Sequence, residues 1–111
     1  MQRRLAAILA ADVVGYSRQL GADEASTLAR LAALRERVLL PLLAEHGGRL
    51  FKSMGDGFLA GFASTVQAVS CALAVQSLLR EGDDAGLQLR IGIHQGDVVV
   101  HGDDLLGDGV N

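Results

Sequence analysis

The chain lacks most of the devices that brace a small protein from outside its core. Among 111 residues there is one cysteine, one proline and no tryptophan, and the aromatic residues are three Phe and one Tyr. The lone Cys71 can form no internal disulfide, which excludes a disulfide-stapled secreted scaffold and points to a reducing, cytoplasmic setting. No run of Lys or Arg occurs and the formal net charge is −3, which argues against a nucleic-acid surface. No apolar run approaches the ~20 residues of a membrane span. Met1-Gln2-Arg3-Arg4 followed by Leu5–Ala11 imitates a signal peptide. Asp12 interrupts that run after seven residues, however, and Val13-Val14 resumes it at once, as a buried strand would.

What is present is aliphatic and rich in glycine: half the residues are apolar and fourteen are Gly. This length suits one domain with a core of its own. Residues 4–14 read as a fully buried strand. Residues 23–45 carry Leu28, Leu31, Leu34, Val38, Leu39 and Leu42 at helical spacing, with Pro41 expected to kink the helix or end its regular part. Gly47-Gly48 stops it. Residues 49–62 read as a β-hairpin turning at Gly55-Asp56-Gly57. Ser64-Thr65-Val66-Gln67 has the form of a capping box and opens a helix of about sixteen residues, whose apolar stripe is Val66, Val69, Leu73 and Leu79, with Cys71 as a small core side chain. Leu87 to His94 alternates as a half-buried strand, Gly96-Asp97 reads as a turn into Val98-Val99-Val100, and the rest reads as loop. The order is that of a ferredoxin-like split βαβ unit (βαββαβ), an α+β domain with an antiparallel sheet and both helices on one face.

In that topology Asp12, at the end of the first strand, and Asp56, at the hairpin tip, come close although 44 positions separate them. Two adjacent carboxylates repel unless a cation sits between them, and hard oxygen ligands suit Mg²⁺ or Mn²⁺ with phosphate oxygens completing the shell. Val14-Gly15-Tyr16-Ser17 follows and can aim backbone N–H groups at an anion. From spacing alone, a carboxylate that merely caps a turn explains each Asp as well, and both explanations stay open. His46, His94 and His101 have no partner at zinc-ligand spacing. Asp103, Asp104 and Asp108 lack the EF-hand pattern. No serine-hydrolase elbow or Walker motif occurs.

The stretches AAILAADVVGYSRQL, GGRLFKSMGDGFLAGF, LRIGIHQGDVVV and GDDLLGDGVN resemble, in order and spacing, successive motifs of the class III nucleotidyl (adenylate/guanylate) cyclase catalytic domain of the bacterial adenylate cyclase type. The similarity covers the chain from about residue 5 to its end. It implies that residues 1–111 are part of one such domain, converting ATP to 3′,5′-cyclic AMP and pyrophosphate. Asp12, Val13 and Asp56 match the positions that hold two Mg²⁺ or Mn²⁺ ions; Val14, Gly15, Tyr16 and Ser17 match the phosphate loop; Arg90 matches an arginine on the phosphates. Lys52 and Asp104 match the pair that reads the purine. An ammonium donates to adenine N1 and a carboxylate accepts from the N6 amine, so the pair favours ATP over GTP.

Asn111 matches the asparagine that orients the ribose. The family pattern continues with an arginine four positions on, beyond this chain, so the domain is expected to be truncated at its C-terminal end and the 111 residues alone to be weak or inactive. The family assembles as dimers with sites across the interface, which implies a homodimer in which Asp12, Asp56 and Arg90 of one chain face Lys52, Asp104 and Asn111 of the other. Further regulatory domains are expected in such a protein. The alternative is an inactive nucleotide-binding or dimerisation module that regulates an attached domain. A diguanylate cyclase is disfavoured because no acid follows the Asp in Met54-Gly55-Asp56-Gly57-Phe58. A guanine-specific relative is disfavoured by Lys52 and Asp104.

Overall fold

The structure, a computed structural model, describes the backbone of residues 2–82, 87–101 and 104–106, and the side chains of residues 5–81 and 87–97. Five antiparallel strands form one sheet in the order β2-β3-β1-β4-β5: β1 (Gln2–Val13), β2 (Arg49–Met54), β3 (Gly57–Phe62), β4 (Leu89–His101) and β5 (Asp104–Leu106). The first four have the expected split βαβ connectivity. β1 is central, with β3 on one side and β4 along its whole length on the other, from Gln2↔Val100 to Val13↔Leu89. Its alternation explains why it is apolar throughout. Ala7, Leu9, Ala11 and Val13 face the helices, whereas Ala6 and Ile8 pack with Phe51 and Leu59 on the opposite face.

The helices α1 (Tyr16–Ala22), α2 (Glu24–Leu34), α3 (Leu40–Glu45) and α4 (Thr65–Gly82) lie between the strands in sequence, and the last three bury Leu34, Leu42, Leu43, Ala68, Cys71 and Val75 against the first face of β1. Burial, with Glu45 adding to it, pushes the Cys71 thiol above its ordinary value.

Four expectations are corrected. First, the single helix over 23–45 is preceded by α1 and contains a π-helical turn, Arg35–Leu39. Asp23 separates α1 from α2 and caps α2, its Oδ1 accepting from the Ser26 N–H at 3.1 Å. Pro41 does not end the helix, although the regular α-helical ladder gives way to the π-turn just before it: Leu40 N–H reaches back to the Arg35 carbonyl, and the widened turn gives the proline ring room to continue helically to Glu45.

Second, Val66, Val69 and Leu73 of the expected α4 stripe point to solvent, with exposures of 74%, 42% and 66%, while its fourth member, Leu79, packs against the core as expected. The buried stripe is the smaller set Ala68, Cys71 and Val75, two residues along and therefore roughly opposite on the helix. Leucines from α2–α3 and the Phe58 and Phe62 rings already fill the layer, so α4 approaches on its small side. Ser64 caps α4 as expected, accepting from the Gln67 N–H at 3.3 Å. Third, Gly96-Asp97 is no turn; β4 runs straight through it, paired with Ala6 and Leu5. Fourth, within the stretch read as loop, Asp104–Leu106 forms β5 against Val99–His101.

Candidate active site

The sheet face away from the helices is open, and the candidate residues gather there at the C-terminal end of β1. The hairpin turns in two residues, with Gly55 in the left-handed region (φ +55°) that a tight turn demands. Asp56 follows it, and its Oδ2 accepts from the Val13 N–H at 3.1 Å. β3 pairs with β1 only as far as Phe58↔Ala11, so the carboxylate of Asp56, on the Val13 N–H, continues the ladder two residues beyond the last strand pair. The turn-capping and metal-ligand explanations of Asp56 are therefore compatible: Oδ2 accepts from the Val13 amide and Oδ1 lies outside that bond.

Asp12 stands opposite Arg90 in the β1–β4 register. Arg90 Nε and Nη2 both donate to Asp12 Oδ1, each at 3.0 Å. The side chains are 72% and 43% exposed, so the pair contributes roughly 0–1 kcal/mol.

Lys52 reaches the same face through a β-bulge. Leu50 pairs with Ala60 and Lys52 with Leu59, leaving Phe51 as the extra residue. In unbroken register Lys52 would oppose Phe58 and point at the helices; the bulge turns it to the open face. Lys52, Leu59, Ala10 and Gly92 then form one row across four strands, with Asp12 and Arg90 beside it. Together with Met54 they line a cavity of about 350 Å³. A Cβ added at Gly92 would meet nothing within 4 Å, so the floor at Ala10 and Gly92 is low. No sequence signal marked Ala10, Met54, Leu59 or Gly92, because their part is to be flat or apolar beside polar neighbours. A larger depression of about 620 Å³ beyond Val14 is lined by Gln76, Arg80 and Gln88 but, among the described residues, by no carboxylate.

The segment after Asp12 is tightly held. Val14 N–H donates to Gln88 O at 2.9 Å, and Gln19 Nε2 donates to Val14 O at 3.1 Å. Gly15 takes φ +67° and opens α1, so Tyr16 and Ser17 belong to a helix rather than a loop. The buried hydroxyl of Thr27 donates to Gln19 O at 2.9 Å and locks α1 to α2.

The donor set fits Mg²⁺ or Mn²⁺. It comprises two carboxylates and nearby backbone carbonyls, and among the described residues no group of three His, Cys, Asp or Glu forms an all-protein cage. A hard ion that keeps waters and takes phosphate oxygens needs no more than that. Lys52 stands on β2 and Asp104 opens β5, the two edge strands; the Asp104 side chain and the whole of Asn111 lie outside the described residues. Among the described residues no helix is long and apolar enough to cross a membrane.

No family model matches the chain. A protein from Rhizobium meliloti (strain 1021) named "Putative adenylate cyclase 3" is 49% identical over the whole chain, which spans 20% of that relative's length. A crystal structure of an adenylate/guanylate cyclase/hydrolase from Silicibacter pomeroyi is 43% identical with a TM-score of 0.87, covering 99% of this chain and 67% of the solved one. The serine/threonine-protein kinase pkn2 of Myxococcus xanthus is 28% identical over 91% of the chain, which is 13% of the kinase.

Proposed function

This chain belongs to the class III adenylate/guanylate cyclase family, and we propose that it acts as an adenylate cyclase catalytic domain, converting ATP to 3′,5′-cyclic AMP and pyrophosphate at a site completed by a second copy of the chain. The observation that carries this is the bond from the Val13 N–H to Asp56, which ties a second carboxylate to the residue after Asp12, itself on the lining of a cavity with Lys52 and Arg90. Asp12 and Asp56, with the Val13 carbonyl, are the residues that would hold two Mg²⁺ or Mn²⁺ ions. When bound, such ions supply Lewis-acid activation of the ribose 3′-hydroxyl and neutralise charge on the triphosphate.

The remaining roles fall to the chain's own side chains. O3′ attacks the α-phosphorus in line as the bond to pyrophosphate breaks. Arg90 and the backbone N–H groups of Gly15–Ser17 draw the phosphates into line, the Val14 N–H being held by Gln88 O. Asn111 orients the ribose. Lys52 donates to adenine N1 while Asp104 accepts from N6, and guanine, with O6 and a protonated N1, leaves both mismatched. A buried mismatch of this kind costs roughly 1–3 kcal/mol, or about ten- to a hundredfold in preference. Lys52 presented on the open face by the bulge supports this assignment.

The second reading is a nucleotide-binding or dimerisation module without turnover. It is favoured by the similarity to a short part of a protein named as a kinase. The deciding experiment is cyclic nucleotide production with Mn²⁺, from ATP and from GTP, by the intact gene product containing this chain and by its Asp56→Ala variant. Cyclic AMP that disappears in the variant is expected. Cyclic GMP as the main product would overturn the adenine assignment alone. No product, with ATP still raising the melting temperature, would establish the second reading.

A further inference from the structure

Arg90 has a single guanidinium and two claims upon it. In this structure it is bound to Asp12, the carboxylate assigned above to a metal ion, while its own assignment is to the phosphates of the substrate. We infer that Arg90 is a placeholder cation: it neutralises Asp12 while the site is free of metal, and the arrival of metal and triphosphate moves it from the carboxylate to the phosphates. This inference rests on the metal-site reading under Proposed function.

Three features of the structure support the exchange. Both Arg90 donors converge on Oδ1, leaving Asp12 Oδ2 outside the pair, rather than engaging both oxygens in the two-pronged arrangement that is hardest to separate. The two residues are direct cross-strand neighbours, so the β1–β4 ladder holds their backbones in place and only side-chain rotation is needed to part them. Their exposure makes the pair weak enough to yield, resisting separation by no more than about fivefold. Asp56 meanwhile is held by an amide rather than by a cation, so the two carboxylates are unequally compensated until a divalent ion joins them.

The consequence is coupling. A metal ion alone must displace the guanidinium with nothing to offer it, whereas a metal ion arriving with a triphosphate gives Arg90 a new partner. Metal and nucleotide should therefore favour each other's binding, and the coupling should vanish without Arg90.

The test uses Mn²⁺ alone, with free ion counted by electron paramagnetic resonance, on the wild-type chain, Arg90→Gln, Arg90→Lys and Asp12→Asn. Removing the guanidinium removes both the competing pair and a like charge, so Arg90→Gln is expected to bind Mn²⁺ roughly five- to tenfold more tightly. Lysine keeps the charge but not the planar fork, so Arg90→Lys is expected to tighten binding by roughly two- to threefold. In parallel, Mg²⁺ should move the Arg90 Nε–H resonance toward its position in Asp12→Asn. If Arg90→Lys binds like wild type while Arg90→Gln tightens, a general field effect is at work and the placeholder is refuted. Unchanged affinity in both variants, or an Nε–H signal unmoved by Mg²⁺, refutes it too while leaving the metal site intact. Absence of Mn²⁺ binding in every variant, Arg90→Gln included, would overturn the metal site and the placeholder together.

Discussion

Asp56 is assigned two duties on one carboxylate, and two substitutions separate them. Asp56→Ala removes the acceptor of the Val13 N–H, a bond of 3.1 Å at the point where the β1–β3 ladder runs out. Hydrogen bonds to charged groups contribute about 1.5–3 kcal/mol, and the partly buried position argues for the lower part of that range, about 1.5–2 kcal/mol. For a domain of this size that is a fall in Tm of roughly 4–10 °C. Asp56→Asn keeps an oxygen for the Val13 amide but loses the charge, and should fall by less than half as much. Both variants should lose the stabilisation that Mn²⁺ with ATP gives wild type, about 2.7 kcal/mol at a hundredfold excess over Kd. The assay is thermal unfolding with and without Mn²⁺ and ATP. If Asp56→Ala melts with wild type, the bond does not hold the strand end. If Asp56→Asn keeps the full Mn²⁺ shift, Asp56 is no metal ligand, whatever else the chain does.

Two further predictions concern packing. A Cβ at Gly48 would sit 2.5 Å from two carbons of the Phe62 ring and 3.1 Å from Leu43; Gly48→Ala should destabilise the chain by about 1–3 kcal/mol, read from the urea midpoint. Leu73→Ala, on the outward stripe of α4, should change stability by no more than about 0.5 kcal/mol, while Leu34→Ala, 1% exposed, should cost about 2–5 kcal/mol. Equal losses at the two leucines would restore the stripe expected from helical spacing.

Local features of the chain were legible. Gly-Asp-Gly between apolar runs marked the hairpin, Ser64 marked the start of α4, and the apolar run Leu5–Ala11 marked the central strand β1, although Leu5 and Ala10 are exposed rather than buried. Asp12 and Asp56 were legible as a candidate pair because the topology alone brings a first-strand end near a hairpin tip, where Asp56 meets the Val13 N–H. What escaped were choices between near-equivalent patterns. α4 carries two apolar stripes, and the larger one lost. Gly96-Asp97 has the chemistry of a turn, yet β1 is long enough to hold β4 straight through it. Pro41 looked like a helix end until a widened turn accommodated it.

The amino-acid sequence by itself determined the main strands and helices, the hairpin turn, and which carboxylates and cations were available, because those depend on neighbours a few residues apart and on side-chain chemistry. Only the tertiary structure decided which face each element buried and which distant groups met. The bulge that turned Lys52 outward and the small side of α4 pressed on the sheet follow from which surfaces lose more water when packed together, and the Arg90–Asp12 pair across 78 positions follows from the β1–β4 register that this packing sets. That comparison involves residues far apart in the chain, so no local pattern records its outcome.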